Sequence, residues 1–432
     1  MYISKITLNN IRGFERLEFD LARAPGEYAG WTVFTGDNGS GKSTLLKAIA
    51  VALTGKDTAR SLQPSFHRWI REGAGEQEAK IELMIAPEKG LDDFSGGGQG
   101  KTAYKIFPAT ITLKKVGKET SVDMPEAIKN TKTAQRGLWS TETHGWFSCG
   151  YGPFRRVFGA SPEATRLMVS PTTERFVTMF QEAASLYEVD QWLRNLSHKK
   201  LEGKTAESEQ LDLLLEILRD DLMPNQITVD RVDSDGLWLK DRNGLQLAWS
   251  EMSDGYRSAL ALLADILRHL ISAYGVEGLT KRGDNGKLSI TRGGVVLIDE
   301  IDAHLHPEWQ REIGFWLKRH FPKIQFLVTT HSPIICQAAD ENGLFVLPEP
   351  GSDAKPRALT LEEYNQVITS RPDTILLSPA FGLQNTRSPR AVEGRAEFSE
   401  LQAKKRAGGS LTAEEKARLP QLQLFAETNE EA

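Results

Sequence analysis

Apolar and polar residues alternate with a period of two at the start of the chain. The alternation runs from residue 2 to residue 21 and is interrupted by Arg12-Gly13, so it predicts a strand, a turn and a second strand. Residues 79–85 and 103–115 alternate in the same way. Strands with one apolar face are typical of antiparallel sheets, so these segments predict an antiparallel β lobe.

Three other segments are apolar without alternation. Trp31–Thr35, Val295–Ile298 and Ile324–Val328 are short runs of β-favouring residues. Strands that are buried on both faces have this composition, and they occur in parallel sheets covered by helices. The pattern therefore predicts an α/β protein with a parallel core sheet.

Helical periodicity marks the segments between these runs. Residues 45–54, 186–222, 254–270 and 390–424 favour helices, and the second and fourth each contain a polar break that predicts two helices. The pair at 186–222 predicts a helical insertion. No heptad repeat is sustained there, so no long coiled coil is expected. Arg175–Gln181 favours a strand that runs into the helix that follows.

Composition excludes some classes of protein. With 432 residues, 40% hydrophobic, 26% charged and a net charge of −5, the chain has no overall basic character that would point to nucleic acid. No apolar run approaches the ~20 residues of a membrane span, and the start favours a strand over a signal peptide. The two cysteines, Cys149 and Cys336, match no metal-binding spacing. We expect free thiols, a cytoplasmic location and no membrane partner.

A phosphate-binding loop follows the first buried strand. The pattern G-x-x-x-x-G-K-S lies between that strand and a predicted helix, as the motif requires, and comprises Gly36, Asp37, Asn38, Gly39, Ser40, Gly41, Lys42, Ser43 and Thr44. Lys42 is predicted to reach the β- and γ-phosphates of ATP, and the Ser43 hydroxyl to bind Mg²⁺. A similar string at 95–102 lacks the first glycine and the strand, so we interpret it as a solvated loop.

Acidic residues end the second buried strand. Asp299 is predicted to bind Mg²⁺, and Glu300 to polarise the attacking water, because ligands bind at the carboxyl ends of parallel strands. His331 follows the third strand, where a histidine either contacts the γ-phosphate or is an ordinary core residue. Ser253 caps a predicted helix whose N-terminus can bind an anion. Gln181 is either a ligand near Mg²⁺ and water or an ordinary polar cap.

Two groups of basic residues are candidates for contact with nucleotide or nucleic acid. Arg155 and Arg156 stand beside glycines and aromatic residues, and a basic stretch covers residues 191–204. Each group is equally compatible with a solvated or packed structural role.

These motifs, in this order, resemble the ABC-type ATPase heads of the RecF, SMC-like and OLD families over residues 1–350. The resemblance implies that 36–44 is Walker A, 295–300 is Walker B, Ser253-Asp254-Gly255 is the signature motif and 302–306 is the D-loop. It makes His331 the switch histidine, Gln181 the Q-loop residue and Arg12 a nucleotide-contacting arginine. The implied domains are lobe I at 1–185, the insertion at 186–224, lobe II at 225–350 and a charged tail at 351–432.

The resemblance also implies a mechanism and partners. Two heads enclose two ATP molecules, which predicts a homodimer or a higher even oligomer. The chain is similar to ATPase subunits of prokaryotic anti-phage defence modules. It shows no nuclease motif after His331, so a separate effector protein, a nuclease, is expected, with DNA as the sensed nucleic acid. The alternative is a RecF-like repair or recombination ATPase that acts directly on DNA, and a transporter subunit is a third, less favoured class.

Overall fold

A computed structural model gives the structure of the chain. It describes residues 1–73, 78–95, 105–117, 119–124, 128–155, 157, 170–182, 184, 186–220, 222–284, 286–352 and 354–426. The chain divides into two compact units, Met1–Ser370 and Arg371–Ala432. The GKT string at 95–102 lies outside the described residues except for Ser95, and Arg156 lies outside them too.

The strands, numbered in chain order, are β1 (Tyr2–Ile11), β2 (Phe14–Asp20), β3 (Gly30–Gly36), β4 (Glu78–Ala86), β5 (Phe107–Val116), β6 (Glu119–Asp123), β7 (Ser148–Tyr151), β8 (Thr228–Asp233), β9 (Gly236–Lys240), β10 (Gln246–Ala248), β11 (Thr280–Arg282), β12 (Leu288–Ile290), β13 (Gly294–Ile298), β14 (Ile324–Thr329), β15 (Leu344–Leu347) and β16 (Arg357–Ala358). The longer helices are Lys42–Leu62, Ile128–Arg136, Tyr187–Leu201, Thr205–Arg219, Asp254–Tyr274, Pro307–His320, Leu361–Thr369, Pro389–Arg406 and Ala413–Ala426.

The core sheet has six strands in the order β16-β15-β3-β14-β13-β7. All its pairings are parallel except that of β15 with the short strand β16. Since β3, β13, β14 and β7 are parallel neighbours, their carboxyl ends meet at one edge of the sheet. The fold class predicted from the sequence is confirmed, and this edge is where the candidate residues lie.

A second, antiparallel sheet forms the predicted β lobe, in the order β2-β1-β4-β5-β6. One face of the lobe is buried, as the alternation predicted: Ile3, Ile6 and Leu8 of β1 are fully buried. They belong to a hydrophobic core that also contains the apolar side of helix Lys42–Leu62. The lobe therefore packs on the helix that follows the phosphate loop.

Two segments differ from the sequence prediction. Arg175–Gln181 is not a strand, because Val177–Phe180 forms one helical turn whose four residues are buried. Tertiary packing outweighs the β propensity of this short run. The edge strand β7 was not predicted, because its Ser-Cys-Gly-Tyr sequence carries no alternation and is only four residues long.

Other elements follow the predicted pattern. Helices Tyr187–Leu201 and Thr205–Arg219 form the predicted pair, and the described residues contain no longer helical arm beside them. Helices Pro389–Arg406 and Ala413–Ala426 are the two charged helices expected near the end of the chain. None of the described helices combines the length and the apolar character that crossing a bilayer requires.

Candidate nucleotide site

The phosphate loop connects β3 to the first turn of helix Lys42–Leu62. Gly36 has φ 145° and a Cβ there would lie 2.3 Å from the Leu347 carbonyl oxygen, so no larger residue fits. Gly41 has φ 95° and its Cα faces the ring of Phe14, which a Cβ would approach to 2.6 Å. These close approaches explain why the loop needs glycine at these two positions.

Lys42 turns back over the loop that precedes it. Its Nζ donates hydrogen bonds to the carbonyl oxygens of Gly36 and Asp37, at 2.8 and 2.9 Å. Asn38 and Gly39 are exposed on the outer side of the loop, whereas Ser40 is buried and its hydroxyl has no hydrogen-bond partner among the described residues. Ser43 and Thr44 lie in the first helical turn, where backbone N–H groups are free for an anion.

The acidic pair lies at the end of β13, beside the end of β14. Thr329 donates from Oγ1 to Asp299 Oδ1 at 2.5 Å and accepts at the same oxygen from the Glu300 N–H at 2.7 Å. Glu300 has φ 46°, a left-handed conformation that costs a non-glycine residue on the order of 1–3 kcal/mol. A single threonine of the neighbouring strand therefore fixes both acids, and one of them is held in a strained backbone conformation.

Asp299 suits a metal ion. Its side chain is 1% exposed, and Oδ2 has no hydrogen-bond partner among the described residues. Burying a carboxylate oxygen without a partner costs free energy unless a cation binds to it. Mg²⁺ prefers oxygen ligands. Asp299 and the Ser43 hydroxyl are thus the residues that would hold Mg²⁺, which would supply charge neutralisation between the phosphate oxygens.

Burial and neighbouring charges shift the pKa values of Lys42 and His331. Burial lowers the pKa of Lys42, and the nearby carboxylates of Asp299 and Glu300 partly offset the effect. Burial and the charge of Lys42 lower the pKa of His331, which follows β14. The imidazole of His331 is therefore neutral at neutral pH. The geometry brings Lys42, Asp299, Glu300 and His331 to one edge of the sheet, as the sequence predicted.

Arg12 reaches this edge from the β lobe. Its guanidinium lies 4.9 Å above the centre of the Trp69 ring and donates to Thr44 Oγ1 at 3.3 Å. Its backbone N–H donates to the Trp69 carbonyl, so one tryptophan fixes both the backbone and the side chain. The structure thus places Arg12 next to the phosphate-loop helix.

Helix Asp254–Tyr274 begins at the predicted signature motif and is named the signature helix. Its start is open to solvent. Ser253 is its N-cap residue, is exposed and makes no side-chain capping bond. Gly255 packs on the 302–306 loop, the predicted D-loop, since a Cβ on it would lie 2.2 Å from the His304 carbonyl oxygen. The first turn is therefore fixed to this loop while Ser253 remains accessible.

Gln181 does not join these residues. Its side-chain Nε2 donates to the carbonyl of Leu62, the last residue of the phosphate-loop helix, at 3.1 Å. The side-chain amide of Gln181 therefore links the Val177–Phe180 turn to that helix. A role at Mg²⁺ requires this bond to break, so it stays a prediction.

Members of both basic groups have partners within the chain. Lys199 pairs with Glu207 and Lys200 with Asp212, so the next helix supplies counter-charges to two lysines of the basic stretch. Arg155 is 5% exposed and donates only to backbone carbonyls among the described residues, which excludes it from contact with nucleic acid in this conformation. The prediction for Arg155 is therefore corrected, because its charge is already used within the chain. The basic stretch stays a prediction, and Arg156 lies outside the described residues.

Sequence reasoning missed three residues that shape the site. Thr329 was seen only as part of a buried strand, and Arg155 as a surface arginine. Tyr151, at the end of the unpredicted strand β7, accepts the Asp299 N–H at its carbonyl, at 2.8 Å. The only sequence feature that marks Tyr151 and Arg155 is the segment Tyr-Gly-Pro-Phe-Arg. It does not indicate a role at the site unless β7 is known to pair with β13.

Family models match both halves of this arrangement. A model described as "AAA domain" matches residues 5–219, and a second AAA-domain model, whose description also names the AbiEii toxin and a type IV toxin–antitoxin system, matches residues 169–337. Together they span both nucleotide motifs and four strands of the core sheet, β3, β7, β13 and β14. The chain is an ABC-type ATPase head.

Curated relatives of this ATPase head include a retron ATPase, a Septu protein and a RecF protein. The retron Ec83 probable ATPase of Escherichia coli is 27% identical, over 80% of this chain and 71% of that protein. The Septu protein PtuA of Bacillus mycoides is 25% identical, over 89% of this chain, which spans only 45% of PtuA. The DNA replication and repair protein RecF of Mesorhizobium japonicum is 43% identical, but over 25% of this chain and 27% of RecF.

Solved structures similar to the ATPase head include an SMC head bound to the C-winged helix domain of ScpA. That match has a TM-score of 0.47 and 16% identity, and covers 85% of this chain and 100% of the other. An SMC head domain from Thermotoga maritima matches with a TM-score of 0.43 and 14% identity, over 84% of this chain and 99% of that one.

Proposed function

We propose that this ATPase head hydrolyses ATP to ADP and phosphate with Mg²⁺ as cofactor. The observation that carries the proposal is the Asp299–Thr329–Glu300 arrangement at the sheet edge. Lys42 would bind the β- and γ-phosphates, Glu300 would accept a proton from the attacking water, and neutral His331 would donate to the γ-phosphate. Asp299 and Ser43 would hold the metal ion.

A phosphate-release assay with the purified chain tests this reaction. Hydrolysis is expected to require both ATP and Mg²⁺, and Lys42→Ala is expected to remove it together with nucleotide binding. Lys56→Ala is the matched control, because Lys56 lies on the same helix and pairs with Asp123 away from the site. A wild-type chain that binds no ATP at millimolar concentration would contradict the proposal.

ATP-driven dimerisation is the second part of the proposal. Ser253 is exposed at a helix N-terminus, and nothing in its own chain uses its hydroxyl among the hydrogen bonds of the described residues. A second head would bring this end to the γ-phosphate held by the first. The test is the mass of Glu300→Gln with ATP by light scattering, where a dimer is expected, and with ADP, where a monomer is expected.

The biological role that we propose is anti-phage defence, in which ATP-dependent dimerisation couples nucleic-acid sensing to a separate effector, a nuclease. The named retron and Septu relatives support this role. Purification of Glu300→Gln with ATP from the native host tests it, because a co-eluting second protein with nuclease activity is expected. If Glu300→Gln protected cells from phage as well as the wild type does, hydrolysis would have no part in the role.

A RecF-like repair ATPase is the second candidate function. The 43% identity to RecF over 110 residues favours it. The two roles differ in what stimulates the isolated chain. Duplex DNA that binds the chain alone and increases its hydrolysis would favour repair, whereas dependence on a second protein would favour the defence role.

A further inference from the structure

Arg155 is a buried cation at the end of β7, the strand that neighbours β13. Its Nη1 donates to the carbonyl oxygens of Gly152 and Asp299, at 3.0 and 2.7 Å. Its Nη2 donates to those of Glu300 and Ile301, at 3.0 and 3.4 Å. One guanidinium therefore binds three consecutive carbonyls of the loop that carries the two acids.

This arrangement is unusual for a buried charge. Arginine is rarely buried without a paired carboxylate, and the described residues offer Arg155 only backbone carbonyls within hydrogen-bond distance. Burial lowers the pKa of Arg155 to about 10, while the charges of Asp299, Asp302 and Glu300 oppose that shift. Arg155 thus stays protonated at neutral pH, and its charge acts on the loop rather than on solvent.

Glu300 is held on both sides of its strained backbone. Its N–H donates to Thr329 from one side, and its carbonyl accepts from Arg155 on the other. A left-handed non-glycine residue persists only where its surroundings force it, so these two contacts account for the φ of 46°. Without the Arg155 contact, the peptide after Glu300 can rotate toward an ordinary conformation and take the carboxylate with it.

We propose that Arg155 is a positioning residue for hydrolysis: it holds the Asp299–Ile301 backbone so that the Glu300 carboxylate faces the γ-phosphate. This inference rests on the proposed ATPase function and extends it to a residue outside the nucleotide motifs. Arg155 touches neither nucleotide nor water in this role, and it acts through Glu300.

Arg155→Lys tests the inference, because lysine keeps the charge but one ammonium cannot reach both pairs of carbonyls. We expect kcat to fall about 10- to 100-fold, as for a displacement of the reacting group by ~1 Å, with the KM for ATP unchanged. Amide hydrogen exchange at residues 299–303 should accelerate while β13 stays protected. Arg23→Lys is the matched control: Arg23 is also largely buried and binds the Asn342 carbonyl, away from the site.

A double-mutant cycle separates positioning from a general loss of structure. In a Glu300→Gln background, Arg155→Lys is expected to have no further effect on single-turnover hydrolysis, since its effect passes through Glu300. Equal losses in both backgrounds, or an unchanged kcat, would overturn the inference. If Arg155→Lys does not fold, the neutral Arg155→Gln replaces it in the same cycle. Absence of hydrolysis in the wild type would instead refute the proposed function.

Discussion

The edge of the core sheet and the start of the signature helix differ in how their polar groups are held. At the sheet edge, the side chains of Lys42 and Asp299 and the backbone of Glu300 are fixed by hydrogen bonds within their own chain. At the helix start, Ser253 is exposed and its hydroxyl caps nothing. One region is preorganised within a single chain, whereas the other presents a donor that its own chain does not use.

This difference agrees with the separate roles of the two regions in the proposed reaction. Groups that meet developing charge are most effective when they are fixed before the reaction, because no reorganisation is then needed. A group that a second copy must meet has to remain accessible until that copy arrives. The contrast predicts that variants at the sheet edge change the chemical step, and that variants at the helix start change its dependence on protein concentration.

The largest effect is expected for Glu300→Gln, which removes the proposed general base and keeps the shape of the side chain. We expect kcat to fall about 10²- to 10⁴-fold with ATP binding retained. Single-turnover hydrolysis and nucleotide titration measure the two quantities. Glu312→Gln is the control, since Glu312 is exposed and pairs with Arg311. A loss of less than tenfold would assign the base to another residue.

Thr329→Val should have the next largest effect, because it removes one hydroxyl that fixes both acids. The change leaves Asp299 Oδ1 and the Glu300 N–H without this partner, at about 1–3 kcal/mol for each buried group. We expect kcat to fall about 10- to 100-fold, as for a displacement of the reacting carboxylate by ~1 Å. Thr329→Ser keeps the hydroxyl and should keep most of the activity. If both variants lose activity equally, packing of the methyl group and not the hydrogen bonds would be responsible.

Ser253→Arg tests the open region. A bulky cation at this exposed position should prevent the second head from docking, so that specific activity no longer rises with protein concentration. Activity should fall about tenfold, as for the loss of ~1.4 kcal/mol of charge stabilisation at a helix N-terminus. The unfolding free energy should change by less than about 0.5 kcal/mol, as for other surface substitutions. Ser234→Arg, in an exposed turn between β8 and β9, is the control. Unchanged concentration dependence would mean that the helix start is not part of an interface.

The sequence predicted the sheet edge well because its groups belong to local patterns. The phosphate loop and the Asp299-Glu300 pair each follow an apolar strand, and parallel strands bring their ends together without further information. The contacts that hold these groups join residues far apart in the chain: Thr329 lies 30 positions from Asp299, and Arg155 lies 144 positions from it. Only the pairing of β13 with β14 and β7 brings them into contact, and β7 has no periodic signal.

The location of the Gln181 side chain, in contrast, could not be predicted from the local sequence pattern. A glutamine at a predicted strand-to-helix junction suggested a ligand of Mg²⁺, but the predicted strand is a helical turn whose direction differs from that of a strand. The side chain consequently meets the end of the phosphate-loop helix at Leu62. A short apolar run does not distinguish a strand from a buried helical turn, so the direction of its last side chain was not predictable.

A smaller effect is expected from protonation of His331. Since burial and Lys42 lower its pKa, the imidazole gains a proton only when the pH falls below the usual histidine value of about 6.5. Protonation lowers activity: kcat should be constant from pH 7 to 8 and decline by less than about tenfold toward pH 5.5. A pKa below about 6.5 leaves at least about a tenth of the imidazole neutral there, and the protonated fraction places a second cation beside Lys42. His331→Asn should abolish the decline, whereas the exposed His67→Asn should retain it. A decline that survives in His331→Asn would assign it to another group.

The smallest effect on hydrolysis is expected for Tyr151→Phe, which tests whether the two regions are coupled. The Tyr151 hydroxyl donates to Asp265 Oδ2 on the signature helix at 3.0 Å, while its carbonyl accepts from Asp299. Phenylalanine removes only the hydroxyl, and Asp265 keeps Arg268 and His269 as partners. The unfolding free energy should fall by about 1–2 kcal/mol, with kcat changed less than about threefold.

The pH dependence of that loss of stability identifies its source. Although burial opposes it, the charges of His269 and Arg268 hold the pKa of Asp265 well below its usual range. A carboxylate with a lowered pKa stabilises the fold fully above its unfolded-state pKa of about 4 and loses that contribution only below it. The deficit of Tyr151→Phe should therefore be equal at about pH 7.5 and pH 8.5 in chemical denaturation, since the carboxylate keeps its charge throughout that range. A fall in kcat as large as that of Thr329→Val would show that the signature helix sets the geometry of the acids through Tyr151, and the two regions would then have to be treated as one.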